Sequence, residues 1–281
     1  MIENTILKAN REGRKALVFS MTYKDLWAVE AAAQAGFDTV SLDGEHGAFS
    51  SSDVDDIVRV ANGYGMSVMA RVPNIQPNTI NLWLDRGIQG VVGPHIETQQ
   101  QAQQLADACL FPPDGQRSWG GGRGTEFNDA QVLNEKYSGK LGFAKWTNRN
   151  MIVLAQIETK QAHDNLDGIL SVPGLTGITG GPHDLAASLG HPGEPDHPEC
   201  QRLTADAARR ARTVGKTIQS DMVASTGLPE LIFSAARAFA TEHRQDAYVP
   251  PQAPALARAK APAPTRTKAP ATRGAPRRAR R

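Results

Sequence analysis

Short strand-forming runs alternate with longer helical patterns along most of the chain, and this alternation constrains the fold more than any other feature. The strand-like runs are residues 16–20, 39–43, 67–72, 90–96, 152–158, 176–182 and 216–222. They are largely apolar, which is typical of a parallel sheet covered by helices. Seven such runs predict an α/β fold, a (β/α)8 TIM barrel rather than an open doubly wound sheet. No G-x-G-x-x-G motif follows the first run, which also disfavours a dinucleotide-binding sheet.

The last part of the chain does not supply a visible eighth strand. Residues 223–243 (VASTGLPELIFSAARAFATEH) have the apolar spacing of one amphipathic helix, and a basic tail follows. We therefore expect a barrel with an atypical C-terminal end. Loss of an element, completion by a neighbouring subunit and a change of reading frame are three explanations that the sequence leaves open.

Charge divides the chain into two segments. Residues 244–281 contain ten Lys or Arg and the single acid Asp246, so their charge of +9 within a total of +2 leaves −7 for residues 1–243. We predict a barrel domain over residues 1–243 and a disordered, basic Ala/Pro/Arg-rich tail over residues 244–281. The tail is either a nucleic-acid-binding arm or a solvated extension. No aromatic side chain interleaves the charges of residues 249–281 to stack on bases, which favours the solvated extension and no nucleic-acid partner.

The start of the chain and its two cysteines bear on location. Residues 1–17 carry charges throughout and lack the apolar centre of a signal peptide, and no later stretch reaches the roughly 20 apolar residues of a membrane span. We expect a cytoplasmic protein with no membrane partner. Cys109 and Cys200 are expected to be buried thiols rather than a disulfide.

Polar side chains cluster where the predicted strands end. The carboxyl ends of barrel strands meet at one mouth, which is where barrel active sites lie. The side chains at these ends are Asp43, Glu45 and His46 after the second run, Arg71 at the third, Gln156 and Glu158 at the fifth, and Asp184 after the sixth. We therefore expect one site that is built from several strands.

The chemistry of four of these side chains suits a metal-assisted reaction. Glu158 and Asp184 would offer two carboxylates to a hard divalent cation such as Mg²⁺, Mn²⁺ or Co²⁺. Arg71 offers a fork of N–H donors for a carbonyl or enolate oxygen. His46 is the side chain best suited to move a proton near neutral pH.

A glycine pair at the end of the sixth run completes the predicted site. Gly180 and Gly181 let the backbone approach a ligand closely. The amides of His183 and Asp184 begin a predicted helix, where a carboxylate would be seated. A metal, an enolate clamp, a base and a carboxylate seat are together the parts needed for chemistry at the carbon next to a 2-oxo acid.

Several segments together resemble a known family. In chain order they are SLDGEHG (41–47), ARVP (70–73), LWLDRGIQGVVGPHIET (82–98), FPPDGQRSWGGG (111–122), LAQIETKQAHDNLDGIL (154–170) and GITGGPHDLAASLGHPGEPDHPE (177–199). They are similar to the class II pyruvate aldolases of the 4-hydroxy-2-oxoheptanedioate aldolase and citrate lyase β-subunit-like superfamily, over roughly residues 5–215.

The resemblance implies a fold, an activity and residue roles. The implied fold is a barrel of the phosphoenolpyruvate/pyruvate-binding type, and the implied activity is reversible, metal-dependent cleavage of a 4-hydroxy-2-oxo acid to pyruvate, or hydroxypyruvate, and an aldehyde. A homo-oligomer resembling the family hexamer is also implied. Matching positions assign metal binding to Glu158 and Asp184, ketoacid binding to Arg71, the catalytic base to His46 with Asp85 as its partner, and further ketoacid contacts to Gln156, Gly181 and the amides of His183 and Asp184.

Other interpretations of single residues stay open. Glu45 taken alone is expected to cap the next helix or to pair with basic neighbours rather than to take part in catalysis. Asp85 would fit the surface of a helix as well as a catalytic dyad. Arg117 and Arg123 lie in a glycine-rich loop, where they would contact the distal end of the substrate or be solvated. His95 lies near the predicted mouth without an assigned role.

Two other functions compete with the aldolase prediction. An acyl-CoA lyase of the citrate lyase β-like branch would cleave a CoA ester instead of a free 4-hydroxy-2-oxo acid. A non-catalytic binding protein would use the basic tail, and its binding would be sensitive to salt.

Overall fold

Eight parallel strands form one sheet in the computed structural model, which describes residues 1–250. The strands are β1 (Ala16–Met21), β2 (Thr39–Asp43), β3 (Ser67–Arg71), β4 (Gly90–Gly93), β5 (Ile152–Ile157), β6 (Gly177–Gly180), β7 (Thr217–Ile218) and β8 (Val223–Gly227). Their order in the sheet is β7-β6-β5-β4-β3-β2-β1-β8. With helices alternating along the chain, this arrangement confirms the prediction of a (β/α)8-type fold.

Thirteen α-helices connect and flank the strands of residues 1–250. They are α1 (Thr5–Arg11), α2 (Leu26–Gln34), α3 (Ser51–Gly63), α4 (Pro77–Leu84), α5 (Gln99–Cys109), α6 (Ala130–Tyr137), α7 (Lys140–Arg149), α8 (Lys160–Asp164), α9 (Leu166–Leu170), α10 (Pro182–Ser188), α11 (Pro198–Thr213), α12 (Gln219–Met222) and α13 (Leu228–His243). Among these helices, none combines the length and the apolar character needed to cross a bilayer.

Helix starts follow local sequence signals. Ser50 and Asp53 form a reciprocal capping box at the start of α3, and Thr98 and Gln101 form another at α5. Proline opens α4, α10 and α11, where its missing N–H is not needed by the helix. These signals determine the residue at which each of these five helices begins.

Two apolar clusters hold the sheet from its two faces. The larger cluster joins outward-facing strand residues to the flanking helices. The smaller one lies on the inner face and joins residues of α1 to β1, β3, β4, β5 and the start of β8; its members are Ile6, Ala9, Ala16, Val18, Met69, Val92, Ile152, Leu154, Met222 and Val223. The helix α1 therefore packs against the inner face of the sheet, and Asn4 anchors it by donating to the carbonyls of Gln89 (2.9 Å) and Asn150 (3.2 Å).

The expectation that an eighth strand is absent is wrong. Residues Val223–Gly227 form β8, which pairs in parallel with β1 from Ala16 opposite Val223 to Ser20 opposite Gly227. The single helix predicted over residues 223–243 begins only at Leu228. The reason is tertiary: the free edge of β1 offers hydrogen bonds, and Val223 is buried in the inner cluster, so the backbone of this segment is extended despite its helix-like spacing.

The seventh strand is shorter than the predicted run 216–222. Only Thr217 and Ile218 pair with β6, and the next four residues form the one-turn helix α12. Thr217 lies opposite Gly177, the first residue of β6, and Val223 lies opposite Ala16, the first residue of β1. The strands β7 and β8 therefore both begin at the amino-terminal side of the sheet. The seventh repeat is thus reduced to a strand of two residues and one helical turn.

The unit Met1–Ala238 is compact and contains all of these elements except the end of α13. The division at residue 243 stays a prediction. Most of the predicted basic tail, residues 251–281, lies outside the described residues.

The position of Met222 gives a test of how β8 is anchored. Its side chain is 5% exposed and packs in the inner cluster beside Val223. Met222→Ala should therefore lower the free energy of unfolding by about 2–5 kcal/mol, measured by chemical denaturation. Leu17→Ala is the control, because Leu17 is 44% exposed on the neighbouring strand, and it should change stability by less than about 0.5 kcal/mol. Equal effects of the two substitutions would contradict the observed packing.

Candidate active site

A cavity of about 850 Å³ opens at the carboxyl ends of the strands. Its walls come from the strands β1 to β6 and β8 and from the loops that follow them. Of the residues predicted for the site, those that line it are Asp43, His46, Arg71, Gln156, Gly180, Gly181, His183 and Asp184. Elements that are far apart in sequence thus bring most of the predicted residues to one mouth.

Arg71 is held by two carboxylates at the end of β3. Its Nε and Nη2 donate to the two oxygens of Asp43, at 2.9 and 2.6 Å, and its Nη1 lies 2.8 Å from Glu45 Oε2. Burial opposes the charge of Arg71, but these two carboxylates outweigh that effect and raise its pKa above the usual value. The guanidinium has five N–H donors, so these contacts leave two of them, and Arg71 lines the cavity.

Asp43 also organises the loop after β2. Its Oδ1 accepts hydrogen bonds from the amides of Glu45 and His46, both at 3.2 Å. Burial favours the neutral carboxyl, but the bonds from Arg71 and from these amides outweigh it and hold the pKa of Asp43 below its usual value. The stretch DGEH is therefore a tight loop, in which the imidazole of His46 remains 65% exposed, with Nε2 3.9 Å from Glu45 Oε2.

Glu158 is the most deeply buried carboxylate of the site, at 1% side-chain exposure. Its Oε2 accepts a hydrogen bond from the amide of Gln156, and its Oε1 accepts one from the backbone N–H of His95 at 3.0 Å. A Cβ atom on Gly181 would overlap Glu158 Oε2, so the position that directly follows β6 must be glycine to leave room for this carboxylate.

His95 and Glu45 form a bridge within the site that the sequence did not predict, although both residues were expected near the mouth. The His95 ring lies between two carboxylates, with Nδ1 2.8 Å from Glu158 Oε1 and Nε2 2.7 Å from Glu45 Oε1. Its backbone φ of +50° is unusual for a residue other than glycine. Glu45 thus pairs with basic neighbours, which is one of the two interpretations of this residue, and it joins Arg71 to His95. The positions of both residues at the ends of predicted strands are the sequence signal for their place in the site.

Asp85 does not join this cluster. It ends α4 and lies against the glycine-rich loop, where a Cβ on Gly120 would overlap its carboxylate, and it does not line the cavity. Its role as the partner of His46 stays a prediction.

Arg117 is neither exposed nor at the cavity, contrary to both interpretations of this residue. It is 3% exposed, its guanidinium stacks 4.5 Å above the Phe111 ring, and its Nη2 donates to the carbonyls of Leu84 and Gly124. Burial lowers its pKa to about 10. Arg117 therefore braces the glycine-rich loop from inside. Arg123 does not line the cavity either, and its Nε lies 3.7 Å from Asp55.

The carboxylates of Glu158 and Asp184 are donors that fit a hard divalent cation. In the described part of the chain, the only ion-pair partner within 4.0 Å of Glu158 is the His95 imidazole, although a buried carboxylate needs a compensating positive charge. Asp184 lies in the first turn of α10 and is exposed to the same cavity. The residues present therefore fit a cation at this mouth.

Comparison with known proteins agrees with this architecture. The family model described as HpcH/HpaI aldolase/citrate lyase matches residues 15–239. The chain belongs to this family. Like other HpcH/HpaI proteins of the aldolase type it is a carbon–carbon lyase, and aldolases of the family are metal-dependent in general and act on small oxo acids and aldehydes.

Two curated members of the HpcH/HpaI family show the similarity in sequence. A 4-hydroxy-2-oxovalerate aldolase of Rhodococcus jostii is 36% identical over 215 residues, which are 76% of this chain and 79% of the relative. A 2-keto-3-deoxy-L-rhamnonate aldolase of Shigella sonnei is 32% identical over 217 residues, covering 77% of this chain and 78% of the relative.

Solved structures show the same fold. An HpcH/HpaI aldolase from Desulfitobacterium hafniense superposes with a TM-score of 0.75 at 23% identity, covering 87% of this chain and 98% of that one. A macrophomate synthase gives a TM-score of 0.72 at 19% identity, with 87% and 90% coverage.

The lowered pKa of Asp43 predicts how stability depends on pH. A carboxyl group whose pKa is lowered on folding stabilises the protein above its unfolded-state value of about 3.9, and this stabilisation is lost as the pH falls through the folded-state pKa. Asp43→Asn should therefore lower the free energy of unfolding at pH 7 by about 1–3 kcal/mol. The difference from the wild type should narrow below about pH 4, measured by denaturant unfolding from pH 3 to 7.

The matched control is Glu3→Gln, which removes an exposed ion pair with Arg11. It should change stability by less than about 0.5 kcal/mol. If Asp43→Asn lowered the free energy of unfolding by the same amount at pH 3 and at pH 7, the stabilising contact between Asp43 and Arg71 would be contradicted.

Proposed function

We propose that this protein is a divalent-metal-dependent aldolase that reversibly cleaves a 4-hydroxy-2-oxo acid to pyruvate, or hydroxypyruvate, and an aldehyde. The observation that carries the proposal is one mouth of about 850 Å³ that is shared by Arg71, His46 and Asp184, with Glu158 buried beside it. Membership of the HpcH/HpaI aldolase/citrate lyase family supports the same reaction class.

Arg71 and Gln156 bind the ketoacid end of the substrate in this proposal. Two N–H groups of Arg71 are not used by Asp43 or Glu45, and in this proposal they donate to an oxygen of the substrate. Gln156 is 4% exposed and lies at the end of the neighbouring β5, so its amide is fixed rather than mobile. The amides of His183 and Asp184, in the first turn of α10 beside Gly181, seat the carboxylate of the ketoacid, and all three residues line the cavity.

Glu158 and Asp184 hold the cation, which we propose to be Mg²⁺, Mn²⁺ or Co²⁺. When bound, such an ion supplies Lewis-acid polarisation of the 2-oxo group and stabilises negative charge on its oxygen. Hard divalent cations prefer oxygen ligands, and the side chains of Glu158 and Asp184 supply carboxylate oxygens.

His46 moves the protons. In the cleavage direction, its imidazole takes the proton of the C4 hydroxyl, the C3–C4 bond breaks, and its electron pair forms the enolate of pyruvate while C4 leaves as an aldehyde. Arg71 donates to the enolate oxygen and so stabilises the charge that develops there. Return of a proton to C3 gives pyruvate. His46 is 65% exposed at the mouth, and its Nε2 lies 3.9 Å from Glu45 Oε2, which leaves the imidazole accessible to a substrate.

We also propose a homo-oligomer. Large apolar side chains that are exposed on this chain support assembly, for example Trp27 at 75% and Phe233 at 57% exposure.

Pyruvate release from a panel of 4-hydroxy-2-oxo acids tests the proposal. Turnover should need Mg²⁺ or Mn²⁺, should stop with EDTA, and should fall by about 10²–10⁴-fold in His46→Ala. Glu158→Gln should lose activity at limiting metal. Glu194→Gln and His243→Ala, which change an exposed carboxylate and an exposed imidazole outside the cavity, should retain it.

Folded, metal-loaded protein that releases no pyruvate from the panel would contradict the proposed substrate class. Cleavage of an acyl-CoA ester under the same conditions would favour the lyase of the citrate lyase β-like branch instead.

The two adjacent glycines give a second, sterically matched test. Gly181→Ala should displace Glu158 and lower both metal affinity and pyruvate release, because its Cβ would overlap Oε2 of that carboxylate. Gly180→Ala should leave metal affinity unchanged, because no protein atom lies within 4 Å of a Cβ at that position. Gly180 lines the cavity, so the two variants are compared by metal titration rather than by turnover. Equal metal affinity in both would refute the role given to Glu158.

A further inference from the structure

Two histidines and a glutamate lie together outside the cavity, in the segment HPGEPDHPE between α10 and α11. One ligand atom each of His191, His197 and Glu199 lies within 4.8 Å of the other two. The two imidazole rings stack with their centroids 3.6 Å apart and their planes 17° apart. None of the three lines the cavity described above, and no part of the proposed reaction uses them.

The backbone at all three positions is fixed by regular structure. Gly190, with φ of +88°, ends α10 as its N–H bonds to the carbonyl of Ala187, and the N–H of His191 bonds to the carbonyl of Ala186 at 2.8 Å. His197 is the N-cap of α11, and Glu199 lies in the first turn of that helix.

An apolar cluster joins these two helix ends. Its buried members are Leu185, Ala186 and Cys200, and Leu189 and Leu203 pack on it. The three side chains are therefore presented by rigid elements on either side of a loop, and they are partly rather than fully exposed. The backbone is positioned for a metal site, but the two stacked rings are nearly parallel, so the imidazoles must turn about their side-chain torsions before their in-plane lone pairs meet at one ion.

The existing contacts of the three side chains are weak. His197 Nδ1 accepts a 3.3 Å hydrogen bond from the Glu199 amide, and Glu199 Oε1 lies 3.9 Å from Arg202 Nη2. An ion bound by His197 would replace that long capping bond in either of two ways. Coordination at Nδ1 would use the lone pair that now accepts the bond, and coordination at Nε2 would leave the ring proton on Nδ1, which could then no longer accept it. Glu199 Oε2 is not engaged by the arginine.

From this geometry we infer a second metal site, which binds Zn²⁺ or a similar borderline cation through His191, His197 and Glu199. Two imidazoles and one carboxylate favour Zn²⁺ over the hard Mg²⁺ that suits Glu158 and Asp184. The ion links the end of α10 to the start of α11. Because Asp184 lies in the first turn of α10, the site braces the helix that carries a residue of the catalytic mouth.

Zinc titration of the full chain tests the inference, with calorimetry for affinity and inductively coupled plasma mass spectrometry for stoichiometry. The background carries Glu158→Gln and Asp184→Asn, so that the catalytic mouth does not compete. This background should bind one Zn²⁺ per chain, and adding His191→Ala or Glu199→Gln should weaken binding by at least about tenfold. Glu194→Gln and Asp196→Asn, in the same loop, are matched controls that should bind as before.

A second readout distinguishes a site from loose surface binding. In the Glu158→Gln, Asp184→Asn background, Zn²⁺ should raise the melting temperature, but it should not do so once His191→Ala is added. Binding should weaken as the pH falls from about 7.5 to about 5.5, because protons compete for imidazole. No Zn²⁺ bound by the background, or equal binding and equal thermal shift with and without His191, would overturn the inference. Neither result depends on aldolase turnover, so failure of the proposed function is detected separately.

Discussion

A chain of charged contacts across the mouth depends on the register of the parallel strands. Asp43 and Arg71 lie directly opposite each other in the pairing of β2 with β3. From Arg71 the contacts continue through Glu45 and His95 to Glu158 at the end of β5. A slip of one residue between β2 and β3 would turn one of these side chains to the other face of the sheet and leave a partly buried charge without its partner.

Apolar packing lies at the amino-terminal ends of the strands, and the side chains of the site lie at their carboxyl-terminal ends. At the amino-terminal edge, α1 and the one-turn α12 connect to the inner apolar cluster, which contains Ile6 and Met222. At the carboxyl edge, the same strands end in polar side chains and in glycines that leave room for them. This arrangement is general for parallel barrels, in which packing fills the interior and loops carry the site. It explains how a reduced seventh repeat coexists with most of the predicted site residues at the mouth, although Asp85 lies elsewhere.

The sequence predicted those features that local pattern determines. Apolar runs located seven strands, and the position of Arg71 and Glu158 at the ends of such runs placed them at one mouth. Where contacts between distant residues determine the local structure, the prediction from sequence pattern was wrong. Residues 223–227 have helix-like spacing, yet they pair with the free edge of β1. The bridge made by His95 joins residues 50 and 63 positions away, and no local pattern encodes a contact of that length.

Exchange of the methyl protons of pyruvate in D₂O, followed by proton NMR, tests the central claim most directly. It reports enolate formation alone and so does not require the aldehyde to be known. The account predicts that the wild-type protein with Mn²⁺ or Mg²⁺ removes the methyl signal, and that EDTA or Glu158→Gln prevents this. Retention of the full methyl signal by folded protein with saturating metal and pyruvate would contradict the assignment of this mouth as an enolate-forming site.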